Sequence, residues 1–160
     1  MFEEFIGTMP VNEMHRFDEG RLLEYLRVHV DGLRGPLTVE QFRGGQSNPT
    51  YRLTAGGARC VMRSKPGPVA KLLPSAHAID REYRVMKALH SVGIPVPRML
   101  ALCDDESVIG RAFFIMECVE GRVLWDQSLP GMTPVQRGAV YDEMNRVMAA
   151  LHGVDYQSVG

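Results

Sequence analysis

The chain has 160 residues, 45% of them apolar and 23% charged, which suits a globular protein with one packed domain and excludes a disordered or fibrous one. A formal charge of −1 and a pI near 6.5 exclude a global attraction to nucleic acid or anionic membrane, so any anion site has to be local. Three cysteines, Cys60, Cys103 and Cys118, with no CxxC spacing, argue against a disulfide framework and a structural zinc site.

In chain order, residues 1–11 carry Glu3 and Glu4 and no basic stretch, so they do not read as a signal peptide. No apolar run reaches the length of a membrane span, and the expected compartment is the reducing cytoplasm. Cys60 and Cys118 lie in apolar stretches and are expected as buried thiols. Residues 18–30 predict a helix, with Asp18 as cap, Phe17 and Leu22 as a staple, and Leu22, Leu26 and Val30 as the buried stripe. Three short strands follow at 37–43, 50–54 and 59–65, separated by turns at 44–48 and 55–57, an antiparallel meander that Pro66-Gly67-Pro68 ends. A second helix runs from Ser75 or Ala76 to His90 and is stopped by Gly93 and Pro95. Residues 98–104 and 111–118 predict two more strands, joined by an acidic turn at Asp104-Asp105-Glu106. A polar stretch over 120–131 leads to a last helix with Thr133 as cap, Pro134 at its first position and Gln136 completing a capping box. Its predicted core face is Val140, Met144, Val147, Met148 and Leu151, and Gly153 ends it.

The fold class expected from this order is α+β: a five-stranded antiparallel sheet with one crossing helix, preceded by an N-terminal helix and followed by a linker and a C-terminal helix. That is the plan of a protein-kinase-like N-lobe. Such a lobe has to close backbone amides over the phosphates of ATP and fix a cation on them with an acid that holds it. The turn Gly44-Gly45-Gln46-Ser47-Asn48 has glycines that let the main chain approach a phosphate, and Ser47 and Asn48 add side-chain donors. It is neither GxGxxG nor a Walker loop, and read alone it is a hairpin turn. Val61, Arg63 and Lys65 share one face of the third strand. Arg63 or Lys65 is then the cation, or both are solvent-facing. On the second helix Ile79, Tyr83, Met86 and His90 form an apolar stripe, and Glu82 lies only about 60° from its centre at about 100° per residue. A carboxylate on the margin of a buried face needs a partner, which an ion pair with Arg63 supplies; otherwise it bends to solvent. Glu117, Cys118 and Val119, at the end of an apolar strand, stand where a hinge offers backbone hydrogen bonds to an adenine edge, or simply where a strand runs into a loop.

Together these segments resemble the aminoglycoside-phosphotransferase (choline-kinase-like) family, most closely the kinase-like domains related to those fused to acyl-CoA dehydrogenases. The likeness is carried by Phe42-Arg43-Gly44-Gly45-Gln46-Ser47-Asn48-Pro49-Thr50-Tyr51, Val61-Met62-Arg63 and Lys71-Leu72-Leu73-Pro74-Ser75-Ala76-His77. It continues through Asp80-Arg81-Glu82-Tyr83, Gly93-Ile94-Pro95-Val96-Pro97, Phe114-Ile115-Met116-Glu117 and Gly121-Arg122, from about residue 17 onward. The resemblance implies ATP as phosphoryl donor, Mg²⁺ as its metal and a hydroxyl of a small molecule as acceptor, a hydroxyacyl-CoA among the candidates. It implies Gly44, Gly45, Gln46, Ser47 and Asn48 as the phosphate loop, Arg63 as the phosphate cation, Glu82 as its partner, and Glu117, Cys118 and Val119 as the hinge. The expected division is an N-terminal segment and helix over 1–35, the nucleotide-binding lobe over 36–119, and a linker with the first helix of a C-lobe over 120–160.

The family's catalytic and Mg²⁺-binding aspartates belong to a later His-x-Asp loop and beyond. His152-Gly153-Val154-Asp155 has one residue too many, so His152 is expected to end a helix and Asp155 to be exposed. The chain is therefore expected to be a fragment or a truncated product, inactive alone, with no catalytic and no metal-binding residue of its own. Its last helix would expose an apolar face that a C-lobe, or a second copy in a homodimer, would cover. A non-catalytic interaction module built on an N-lobe is the alternative. A dinucleotide-binding enzyme is disfavoured because no GxGxxG links a strand to a helix.

Overall fold

The computed structural model describes residues 6–44, 48–66 and 78–160. Asp18 caps α1 (Glu19–His29) by accepting the Arg21 N–H at 3.0 Å, which satisfies one of the donors left open in a first turn. Leu22 and Leu26 face inward with no exposed surface, and Val30, just past the helix, joins them.

The predicted meander forms β2 (Leu37–Phe42), β3 (Thr50–Ala55) and β4 (Ala58–Ser64). The chain then passes through α2 (Ile79–Ser91) to β5 (Met99–Cys103) at the far edge, and β6 (Phe113–Glu117) returns between β5 and β4. Every neighbouring pair is antiparallel. A sixth strand, β1 (Thr8–Met9), adds to the edge of β2. It goes unpredicted because two residues carry no alternation to read. The expected start of α2 at Ser75 or Ala76 lies outside the described residues, as does the rest of 67–77. The acidic turn at Asp104-Asp105-Glu106 is more ordered than expected: Asp105 accepts the Ser107 N–H at 2.8 Å and caps the short helix α3 (Glu106–Ile109), which left-handed Gly110 closes.

The alternation of side chains divides the sheet between two cores. Tyr51, Leu53, Cys60, Met62, Phe113 and Ile115 pack with Leu22 and Leu26 on the α1 side. Phe114 and Met99 pack with Ile79 on the α2 side, joined by Tyr83, Met86 and Met116. A bulge between Met99 and Ala101 resets the alternation on β5, so Met99 and Leu102 face α2 while Ala101 and Cys103 face α1. The α1 side also holds a buried cation with no carboxylate on it among the described residues. Arg111, 6% exposed, donates from Nε to Ser64 Oγ at 3.2 Å and from Nη2 to the His15 carbonyl at 2.6 Å and Tyr51 Oη at 3.2 Å. Its guanidinium lies 5.5 Å from the centre of the Phe17 ring. Burial, then the Arg111 charge, hold the His15 imidazole below its usual pKa.

One expectation is corrected by this packing. Cys118 is only half-buried and Cys103 is the second buried thiol beside Cys60, because Cys118 lies beyond the end of β6. The capping box on α4 (Pro134–His152) forms as predicted, with Thr133 Oγ1 accepting Gln136 N–H and Gln136 Oε1 accepting Thr133 N–H. Its apolar face is left uncovered, as expected: α4 has no buried residue, and Met144, Met148 and Leu151 are 54%, 52% and 42% exposed.

Candidate functional site

The site is built where α2 meets β4. Pairing Thr50 with Arg63 and Arg63 with Phe114 puts the arginine on the α2 side of the sheet, opposite Met62 and Ser64. Glu82, on the margin of the buried stripe of α2, reaches down to it. Arg63 Nε donates to Glu82 Oε2 at 2.7 Å, with the two side chains 29% and 35% exposed. This is the ion pair that the helix phase and strand alternation predicted. Charge assistance at this distance and partial burial contributes about 1.5–3 kcal/mol.

Two further groups hold the pair. Asn48 Nδ2 donates to the other carboxylate oxygen of Glu82 at 3.0 Å, and Arg63 Nη1 donates to Thr50 Oγ1 at 3.1 Å. Thr50 Oγ1 in turn donates to the Asn48 carbonyl at 3.2 Å, and Ser64 N–H donates to the Pro49 carbonyl at 3.0 Å. The segment leaving the glycine turn is therefore stitched to both α2 and β4. Asn48 is 2% exposed, so its amide positions Glu82 and anchors the turn. Gly45, Gln46 and Ser47 lie outside the described residues; Gly44 is described, just beyond β2. Among the described residues Arg63 donates from Nε and Nη1. Lys65 N–H is tied to the Ala112 carbonyl at 3.0 Å, one residue past the end of β4.

At the other end of the sheet Cys60 pairs with Glu117. Glu117 is held at both its main chain and its side chain: its N–H donates to the Arg98 carbonyl at 2.9 Å and its carboxylate accepts the Arg98 N–H at 3.3 Å. Cys118 and Val119 follow just past the end of β6, and Val119 is 63% exposed.

A second ion pair on the same sheet face escaped the sequence reading. Arg52 donates to both oxygens of Glu40, at 2.7 and 2.9 Å from Nη2 and 3.0 Å from Nε. Thr8 Oγ1 completes the group, accepting from Arg52 Nη2 at 3.1 Å and donating to Glu40 Oε1 at 2.8 Å. The bond from Arg52, foremost, holds the Glu40 carboxyl below its ordinary pKa. The signal that could have found it is register: Glu40, Arg52 and Val61 are Cα partners across three strands, but no motif marks them.

A family model, the phosphotransferase enzyme family (APH), matches residues 38–160. The chain belongs to that family. Among solved structures, this phosphotransferase chain is similar to a Ralstonia eutropha JMP134 protein provisionally assigned as an aminoglycoside phosphotransferase. The two share 61% identity and a TM-score of 0.76 over 91% of this chain and 41% of the other. Among curated proteins it is 46% identical over 157 residues to acyl-CoA dehydrogenase family member 11 of Rattus norvegicus, and 40% identical over 158 residues to a probable acyl-CoA dehydrogenase of Arabidopsis thaliana. These matches cover 96% and 94% of the phosphotransferase chain, which spans about one-fifth of the length of those relatives (20% and 19%).

Within the phosphotransferase chain His152 ends α4 and Asp155 caps α5 (Tyr156–Val159) by accepting the Gln157 N–H at 3.1 Å. That bond gives Asp155 a structural role at an exposed position. Among the described residues no three His, Cys, Asp or Glu side chains come together as a metal site. No helix among them is long and apolar enough to cross a membrane. An open groove of about 870 Å³ runs between the outer side of α2 and the last residues, lined by Arg81, Lys87, Leu151 and Tyr156 among others, and shares no residue with the Arg63–Glu82 group.

Proposed function

We propose that this chain is the nucleotide-binding part of a small-molecule phosphotransferase that takes the γ-phosphoryl group of ATP. The single observation that carries the reading is the Arg63–Glu82 pair at 2.7 Å, fixed by Asn48 and Thr50. Arg63 is permanently charged and already oriented, so its guanidinium meets a phosphate oxygen without further ordering. Gly44, Gly45, Gln46, Ser47 and Asn48 are the proposed phosphate loop, with Asn48 as its anchor. Glu117, Cys118 and Val119 are the proposed hinge, whose backbone takes the adenine edge. The acceptor is a hydroxyl of a small molecule. A hydroxyacyl-CoA is the candidate that the likeness to an acyl-CoA dehydrogenase family member favours. Mg²⁺ and the base that receives the hydroxyl proton require ligands other than those described here, so turnover by these residues alone is not proposed.

Isothermal titration of the chain with ATP, repeated for Arg63→Ala and Glu82→Gln, tests this. The expected result is measurable ATP binding that Arg63→Ala weakens about tenfold or more and Glu82→Gln weakens less. A folded Arg63→Ala protein that binds ATP like the parent overturns the reading.

A second reading has its own observation. The side of α4 that carries Met144, Met148 and Leu151 is exposed, which favours an interaction module that pairs with a second copy. Arg63→Ala leaves that association unchanged, so the two readings separate.

A further inference from the structure

The Glu40–Arg52 pair occupies a position that the nucleotide reading does not use. On the α2 side of the sheet the side chains form rows across the strands. One row runs Thr50, Arg63, Phe114; the next runs Glu40, Arg52, Val61, Met116. The second row is displaced from the first by two residues of strand, about 7 Å. The displacement is toward the hinge, since Cys60, beside Val61, pairs with Glu117. A nucleotide whose phosphates meet Arg63 and whose base edge meets Cys118 and Val119 passes under this second row.

The chemistry of the row is unusual for a surface salt bridge. Glu40 grips the Nε and Nη2 edge of Arg52 and Thr8 takes a further bond from Nη2. The guanidinium plane is thereby fixed, while Nη1 and the flat face take no part in these bonds. Both side chains are 33% exposed, so the group is walled by the sheet on one side and open on the other. A planar cation held by its edge presents its face, and a face of that kind suits an aromatic base better than a single phosphate oxygen.

We propose that Arg52, oriented by Glu40 and Thr8, is a nucleotide-contacting residue that covers the adenosine half of ATP. The proposal rests on the nucleotide reading of the Arg63 site and adds to it a contact at the opposite end of the ligand. Its simplest rival is that the three side chains only fasten β1 to the sheet edge.

Binding of ATP and of inorganic tripolyphosphate to the full chain is compared for the parent, Arg52→Leu, Arg52→Gln and Arg63→Ala, with thermal melting as the check on folding. Arg52→Leu is expected to weaken ATP about tenfold and to leave tripolyphosphate unchanged, whereas Arg63→Ala weakens both. Arg52→Gln, which keeps a hydrogen bond to Glu40 but loses the cation, gives the same selective loss and replaces Arg52→Leu if that variant does not fold. Equal weakening of ATP and tripolyphosphate by the Arg52 variants overturns the proposal in favour of a phosphate contact. No change in either ligand, in a folded variant, overturns it in favour of the structural role. If the parent binds neither ligand, or Arg63→Ala alters neither, the nucleotide reading itself fails and this proposal with it.

Discussion

Arg111 shows what a single residue is asked to do in a lobe this small. Its guanidinium is buried, yet its partners among the described residues are a serine hydroxyl, a tyrosine hydroxyl and a carbonyl, none of them an opposite charge to offset its loss of hydration. The arrangement fastens the 13–15 turn and Phe17 onto β3 and β4. Replacing Arg111 by Met keeps much of the volume but leaves Tyr51 Oη and Ser64 Oγ without the guanidinium donor and the His15 carbonyl with only the 3.4 Å bond from Tyr51 Oη. Arg111→Met is expected to cost about 2–4 kcal/mol, read from the urea midpoint at constant slope; a loss within experimental error would show that those acceptors find water. Nothing in the sequence marked Arg111, because its partners come from positions 15, 51 and 64. Glu82 was legible for the opposite reason. Its angle to the apolar stripe of α2 is local, and only one partner across the sheet had to be inferred.

At the scale of elements, the β3–β4 hairpin is the part whose sequence leaves least freedom. Gly56 and Gly57 have φ of +57° and +83°, and a Cβ on Gly56 would collide with the Arg34 carbonyl oxygen. Gly56→Ala therefore combines left-handed strain with a backbone collision and is expected to destabilise by about 2 kcal/mol or more. Gly57→Ala, with nothing within 4 Å, is expected to cost about 1 kcal/mol. Thermal unfolding of both variants checks the order, and the reverse order would place the constraint outside the turn. The existence of the longer strands and helices was readable, since period-two and 3.6-residue patterns are set by neighbours in the chain. β1 was not readable, because its pairing is decided by the edge of β2. The face of α4 was readable as a stripe, but a stripe does not say what covers it.

For the molecule as a whole, that stripe is the main open question of association. Met144, Met148 and Leu151 are 54%, 52% and 42% exposed on a helix with a complete capping box. An apolar helix side of this kind drives contact with another surface. Sedimentation of the chain is expected to show concentration-dependent self-association, which Met144→Lys with Met148→Lys abolishes. A monomer at every concentration would remove the second-copy reading while leaving ATP binding to be judged separately.

The sequence by itself determined the order of elements, the α+β class, the caps at Asp18 and Thr133, the family likeness and the candidate pair Arg63 with Glu82. Each depends on patterns within a few residues or on a matched motif. Tertiary structure alone decided that Asn48 faces Glu82, that Glu40, Arg52 and Thr8 share a row with Val61, and that Arg111 is buried without a carboxylate among the described residues. Those contacts are set by strand register and by the packing of α1 and α2 on opposite faces, which bring together residues that no local spacing relates.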